Sequence, residues 1–575
     1  MNLDKQQNAA VRTASWRTMV IAGAGSGKTR VLTERIRYLV EEEKVSPSEI
    51  LCMTFTRKAA GVMKERLQEA LGHQVSGLKL GTIHALALRM SNQFGDVIGM
   101  KSKQITVYSQ WEEEFLLRDV AMELGHHNGK TWKGLTKSEV QDTFDQYYQK
   151  GIEPEPCDPC NDLFRCFIQR CKENNALTYG GLMIGLRLLI PTMAKYLNIQ
   201  HILVDEIQDI DHLQWQIILD METQFVAKLF VVGDVDQSCY EWRGAAPKYL
   251  VDHQAEFEIC RLETNYRSVP GIIEGANRVI ENNKDRITKT MRPCREGSGN
   301  AIDVYLNADS EWIANQFTGP SPITGRTAVL GRNRFLLEKL SRLLEEKGIK
   351  HEYVGKMKGL TEAEHFRRFH AFLKLTVNPY DNFSFLLTKD IIGLSSADYS
   401  AIRVQAAETG MSHFQVYQNA GHPHSKSLSL AAQDISERFP ELSPEAVAFI
   451  HQWTEKNFSE DIAEYLDWLA TYDLQDEISE EASEIMLLTI HGAKGLEWPV
   501  VIVAGCNEGI LPSNQSLGNE ELIEAERRLM YVAMTRAEDH LILAVRPVSV
   551  TDEKDRVKNS PESRFVAEAI GKGVI

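Results

Sequence analysis

Lys28 and Thr29 close a run, Ala22-Gly23-Ala24-Gly25-Ser26-Gly27-Lys28-Thr29, whose residue types and spacing suit the cradling of a polyphosphate. Three glycines let consecutive backbone N–H groups turn toward an anion, and a helix starting near Gly27 aims the positive end of its dipole at the same point. Lys28 would reach the outer phosphates, the Thr29 hydroxyl would ligate Mg2+, and Arg30 follows in the same turn. The pattern usually opens on glycine. Ala22 stands there instead, a small departure because the later glycines make the closest backbone approach. A second cluster, Asp205-Glu206-Ile207-Gln208-Asp209, offers Asp205 to hold Mg2+ through water and Glu206 to orient and deprotonate an attacking water. A third, Gly233-Asp234-Val235-Asp236-Gln237-Ser238, is followed by Tyr240, Trp242 and Arg243. Gln237 suits a γ-phosphate sensor, while the aromatics beside it present an exposed stacking platform to a second ligand.

Each cluster needs a strand behind it. Met19 to Ile21, Ile202 to Val204 and Leu229 to Val232 are short apolar runs that end where the chemistry begins, as buried parallel strands do. Strands are expected at 19–21, 50–55, 202–204 and 229–232 in a first lobe, and at 327–330, 485–490, 500–504 and 541–544 in a second. Val31, Leu32, Ile36, Leu39 and Val40 recur at helical spacing after the glycine loop. Two parallel-sheet α/β lobes are the economical architecture.

With 575 residues and 43% hydrophobic content, the chain is long enough for several substantial cores. It contains no apolar run of membrane-spanning length and no basic-then-apolar leader, so a cytoplasmic protein without membrane partners is expected. Nine cysteines make a disulfide framework improbable. The net charge of −16 argues against a generic basic coat for nucleic acid and leaves a local groove of cations and aromatics.

The order of these motifs resembles the UvrD/Rep family of superfamily 1 helicases through most of the chain. Leu3-Asp4-Lys5-Gln6-Gln7 is similar to the family's glutamine motif, which implies that Gln7 reads adenine and that ATP is the nucleotide. Phe55-Thr56-Arg57-Lys58 and Gly81-Thr82-Ile83-His84 resemble the segments that grip single-stranded DNA, with Arg57 where asparagine is usual. Thr264-Asn265-Tyr266-Arg267 looks like the motif whose tyrosine stacks on adenine and whose arginine reaches the γ-phosphate. In Thr489-Ile490-His491 through Glu497-Trp498, the resemblance puts His491 on DNA and Glu497 on the ribose. Tyr531-Val532-Ala533-Met534-Thr535-Arg536 supplies a second arginine finger, Arg536.

The resemblance implies two RecA-like P-loop NTPase lobes, each with a mainly helical insertion. The expected division is 1–89 and 179–262 for the first lobe and 90–178 for its insertion. The second lobe takes 263–377 and 481–550, its reduced insertion 378–480, and a tail 551–575. It further implies an ATP- and Mg2+-dependent helicase or translocase acting on single strands and single/double-strand junctions, moving 3′ to 5′. Only 223 residues separate Arg267 from Ile490, fewer than in large members, so unwinding is expected to suffer more than translocation. Two rivals stay open: an ATP-switched remodeller without strand separation, and the motor subunit of a nuclease or defence complex. A repair or replication partner is compatible with either, and the pathway is open.

Other signals are weaker. Cys157, Cys160, Cys166 and Cys171 have partial metal-ligand spacing, but the last two lie in a helical pattern that would turn them apart, so they read as incidental thiols. Lys64 and Arg66 suit either a phosphate contact or a solvated face. His126, His127, His422 and His424 read as surface residues, and Asp476–Glu481 as a solvated linker. Tyr179-Gly180-Gly181 stands where the family has an aromatic followed by two acids.

Overall fold

Met19, Val20, Ile21 and Ala22 are buried on both faces, the condition of a strand inside a parallel sheet covered by helices. The computed structural model describes residues 3–571 except 102–103, 242–244, 246, 298–300, 355–360, 362, 419–426, 443, 471, 473–482, 548 and 552–556. Its strands run β1 Arg17–Ala22, β2 Ile50–Thr54, β3 Lys79–Thr82, β4 Thr106–Tyr108, β5 Ala176–Thr178, β6 His201–Val204, β7 Lys228–Gly233 and β8 Glu258–Leu262. The series continues with β9 Thr264–Asn265, β10 Arg292–Pro293, β11 Ile302–Leu306, β12 Thr327–Gly331, β13 Glu352–Tyr353, β14 Ile485–Thr489, β15 Trp498–Ala504 and β16 Ala537–Val545.

The first sheet has the order β3-β2-β6-β7-β1-β8 and is parallel throughout. Val20 aligns with Val232 and Cys260, and Met53 with Val204, so the carboxyl ends of β1, β7 and β6 lie side by side. The second sheet, β11-β16-β15-β12-β14-β13, is also parallel, with Val329 aligned to Leu487 and Ile502. Helices cover both faces of each sheet. Val31, Leu32, Ile36 and Leu39 of the helix Lys28–Glu41 pack under β1, and Leu529 to Met534 of the helix Glu520–Met534 pack on the second sheet.

The eight expected strands are present. Within the two six-stranded sheets, the four strands that were not anticipated, β3, β8, β11 and β13, are the edges. Edge strands expose one side, and Glu258–Leu262 and Ile302–Leu306 alternate polar and apolar residues weakly, which removes the apolar run that marks a central strand.

Between β3 and β6 stand the helices Gln110–Glu123, Lys137–Lys150 and Asn161–Glu173, joined to a small parallel ribbon of β4 and β5. Cys166 is exposed and Cys171 buried on the last of these, and no metal-ligand cluster occurs among the described residues. His127 departs from the surface reading: it is buried, accepts the Gly129 N–H on Nδ1 at 2.9 Å and packs edge-on against Trp132. His422, His424 and Asp476–Glu481 lie outside the described residues. Between β13 and β14 the described residues are mainly helical, and Phe366, Phe369 and Leu373 of the helix Glu364–Val377 share a core with Ala431, Phe449, Trp453 and Tyr465. Phe565, Val566 and Ala569 of the helix Arg564–Ile570 are buried against the second sheet. No described helix is long and apolar enough to cross a membrane.

Candidate functional site

The glycine loop takes its shape from left-handed residues that only glycine adopts without strain, Gly25 (φ 65°) and Gly27 (φ 85°). Ser26 closes it by donating its N–H and hydroxyl to the Gly23 carbonyl at 3.2 and 2.7 Å. Gly27 caps the helix Lys28–Glu41, which places Lys28 and Thr29 in the first turn beside the ends of β6 and β7. Lys28 Nζ stands 3.0 Å from Glu206 Oε1 and 3.5 Å from Gln237 Oε1. Arg30 faces a cavity of about 370 Å³ between this helix and the helix Lys5–Arg12.

Gln7 is buried with its carboxamide already engaged. Oε1 accepts the Asp4 N–H at 3.2 Å in a capping box, and Nε2 donates to the Ser26 carbonyl at 3.0 Å. Each of these atoms keeps one further position, a lone pair on Oε1 and a second N–H on Nε2.

Asp205 directly follows β6 and is buried, and Glu206 comes next in the left-handed region (φ 49°), a strained conformation for glutamate that turns its carboxylate toward Lys28. Burial alone would raise the Glu206 carboxyl, but Lys28 and Lys494 beside it outweigh burial and hold it well below its ordinary value. Burial, reinforced by the Glu206 charge, pushes Asp205 up. A buried carboxylate and a hydroxyl one turn into a helix are the hard oxygen donors that Mg2+ takes, so the residues present fit that ion.

The chain's second half reaches back onto this loop. Asn265 Nδ2 donates to the Ala24 carbonyl at 2.6 Å, the Tyr266 N–H to the Gly25 carbonyl at 2.9 Å, and the Tyr266 hydroxyl to Asp4 at 2.5 Å. Arg267 and Glu497, expected on different parts of a nucleotide, pair with each other at 2.5 Å, and Arg267 also donates to the Thr535 carbonyl at 3.0 Å. A bound nucleotide must compete for that pair.

Arg536 is 2% exposed, and its hydrogen bonds go to neutral oxygens: the Val532 and Leu496 carbonyls, the Thr535 hydroxyl and, at 3.4 Å, Gln237 Oε1. Among the described residues no carboxylate pairs with it. Burial and the neighbouring Arg267 charge lower its hold on its proton. Lys28, Gln237 and Arg536 thus converge from the two sheets on one point beside the Glu206 carboxylate.

Beside this point runs a groove of about 1,060 Å³, lined by Phe55, His84 and Tyr240 and by Trp111, Tyr148, Arg367 and Lys374 of the helical stretches. Phe55 and Tyr240 have ring centroids 5.0 Å apart, and His84 stacks on Tyr179 at 3.9 Å. Tyr240 is not the fully exposed platform expected. It is half-buried, packs on the core of the second sheet and donates its hydroxyl to the His491 carbonyl at 3.2 Å. Trp242 and Arg243 lie outside the described residues. Lys64 and Arg66 are exposed on the helix Arg57–Leu71.

Sequence reasoning did not single out Asn265, Asp209, Lys494, Asp236 or Lys289. Lys494 is buried, paired with Asp209 and donating to the Gln237 carbonyl at 2.9 Å, a bond between the two halves of the chain. Lys494 and Asn265 were visible as motif members, whereas nothing in the local sequence marks Lys289.

The family model of the UvrD/REP helicase N-terminal domain matches residues 3–258, and that of the UvrD-like helicase C-terminal domain matches 260–421 and 424–546. The chain is 29% identical to the ATP-dependent DNA helicase PcrA of Bacillus subtilis, over 98% of this chain and 85% of that protein. It is 28% identical to DNA helicase II of Haemophilus influenzae, with 98% and 86% covered. With the ATP-dependent DNA helicase UvrD1 of Mycobacterium tuberculosis it shares 28% identity over 98% and 85%. Family models that cover nearly the whole chain, on a pair of parallel sheets that meet at a phosphate loop, place this protein in the UvrD/REP helicase family.

Proposed function

We propose that this protein is an ATP-dependent motor on single-stranded DNA, a helicase moving 3′ to 5′, that couples hydrolysis between its two sheets to strand movement. The observation that carries the reading is Arg536: a buried guanidinium with no directly paired carboxylate among the described residues, 3.4 Å from a glutamine that also faces Lys28, suits the γ-phosphate of a nucleotide on the glycine loop. Glu206, held ionised by two lysines, serves as the base that orients and deprotonates the attacking water. Thr29 and Asp205 would hold Mg2+, which when bound neutralises charge on the phosphates. The proposed motor lobes are 1–89 with 179–262, and 263–377 with 481–550. The stretches 90–178 and 378–480 act as their insertions.

A phosphate gripped by Lys28 on one side and by Arg267 and Arg536 on the other draws the lobes together, and hydrolysis lets them part. Phe55, His84 and Tyr240 line the groove where that movement would reach it, with the His491 ring 6.0 Å from that of Tyr240, and stacked aromatics hold bases of any sequence at about 1–3 kcal/mol each. Trp242 and Arg243 are proposed to extend that surface.

The reading is tested by Glu206→Gln. It should keep nucleotide and DNA binding while losing turnover. Wild-type turnover in this variant would remove Glu206 from the mechanism.

A further inference from the structure

Lys289 is fully enclosed, and its ammonium is bonded to two carboxylates, Asp234 and Asp236, that flank the turn after β7. Arg286 pairs with Asp236 at 3.1 and 2.7 Å, so among the described residues Asp234 has Lys289 as its only cationic partner. The second oxygen of Asp234 accepts the side-chain Nε2 of Gln237 at 2.5 Å. That bond sets which end of the carboxamide faces the site. With Nε2 tied to Asp234, Oε1 is left toward Lys28 and Arg536, at 3.5 and 3.4 Å, and the reversed amide would set an N–H2 group against two cations.

The lysine comes from the other half of the chain. Its loop, between the helix Pro270–Ile280 and β10, is tied to the helix Glu520–Met534. The Asn283 side chain bonds the Glu524 carbonyl, and the Lys284 and Asp285 N–H groups bond the Glu524 carboxylate. Without Lys289, Asp234 is a buried carboxylate that has lost its paired ammonium and keeps only the more distant charge of Arg286. It is then free to rotate, and ceases to hold the amide in one orientation.

We propose that Lys289 is a positioning residue for ATP hydrolysis: through Asp234 it fixes the Gln237 carboxamide with its oxygen toward the phosphate site. Once phosphate takes over Lys28 and Arg536, that oxygen accepts a hydrogen bond from the attacking water. This rests on the reading of Gln237 as a residue beside the γ-phosphate. Because the effect falls on the reacting water rather than on the bound nucleotide, it belongs in kcat and not in KM.

The test is a double-mutant cycle in DNA-stimulated ATP hydrolysis with Gln237→Ala, Lys289→Met and both together. Each single change should lower kcat roughly 10- to 100-fold with KM for ATP within about twofold, and the double should be no slower than Gln237→Ala alone. Lys289→Arg should restore most of the rate. Lys289→Met combined with Asp236→Asn, which balances the lost charge, should melt with the wild type and still be slow. Wild-type kcat in Lys289→Met, or a double mutant slowed by the product of the two single effects, would overturn the inference while leaving the γ-phosphate site standing. Wild-type kcat in Gln237→Ala would overturn the reading of that site and this inference with it.

Discussion

Arg536 and Gln237 meet at 3.4 Å from opposite sheets, and the guanidinium finds only neutral oxygens there. A buried charge without a counter-charge opposes folding and favours any anion that fits. Arg536→Met should therefore melt at or above the wild-type temperature without nucleotide, lose the stabilisation given by a non-hydrolysable ATP analogue, and turn over about 1,000-fold more slowly. Thermal melts with and without the analogue, alongside steady-state hydrolysis, check all three. A melting temperature far below wild type would mean that the guanidinium is a structural tie.

Arg57 stands at the edge of the groove and reaches the helix Ile462–Ala470. It donates to the Trp468 carbonyl at 2.5 Å and lies over the indole ring at 5.4 Å. Arg57→Asn removes both contacts, each a modest tie on this half-buried surface. Amide exchange in the helix Ile462–Ala470 should rise several-fold, on the basis of about 0.5–1 kcal/mol for the cation–π contact, while the two sheets keep their protection. Unchanged exchange in that helix would show that other contacts hold it.

Next to Trp468, Asp467 is mostly buried and accepts a hydrogen bond from Asn92 of the first lobe's helix Ile83–Phe94 at 3.3 Å. Burial pushes its carboxyl up to about 7 from an ordinary 3.8. The folded chain thus holds this proton more tightly than the unfolded chain does. Between about pH 4 and pH 7, this group's contribution to stability falls as pH rises, and above pH 7 the cost of a buried carboxylate is fully present. Asp467→Asn should remove that slope and raise the melting temperature at pH 8 relative to wild type. A pH dependence identical to wild type would contradict it.

The central strands and the glycine loop were legible because burial on both faces demands an unbroken apolar run, and because phosphate chemistry fixes residue types at fixed spacing. The edges were not, since a half-exposed strand such as Lys79–Thr82 carries no such run. Within the site, Lys28, Glu206, Gln237 and Arg536 could be assigned from motifs. Lys289 could not, because its meaning arises only where a loop folds onto carboxylates more than fifty residues earlier in the chain. Tyr179-Gly180-Gly181 gave a signal without its reason. A Cβ on Gly180 would come within 2.4 Å of the Tyr148 ring, so the missing side chain makes room for the first insertion at the groove.

The account stands most directly on the link between the groove and the phosphate site. Steady-state ATP hydrolysis with and without single-stranded DNA, followed in the same mixture by strand release from a 3′-tailed duplex, measures that link. Strong stimulation by the single strand, abolished in Glu206→Gln, is the predicted result, with release of the displaced strand completing the helicase. Hydrolysis that is indifferent to DNA would contradict the coupling of the phosphate site at Gln237 to the groove at Tyr240.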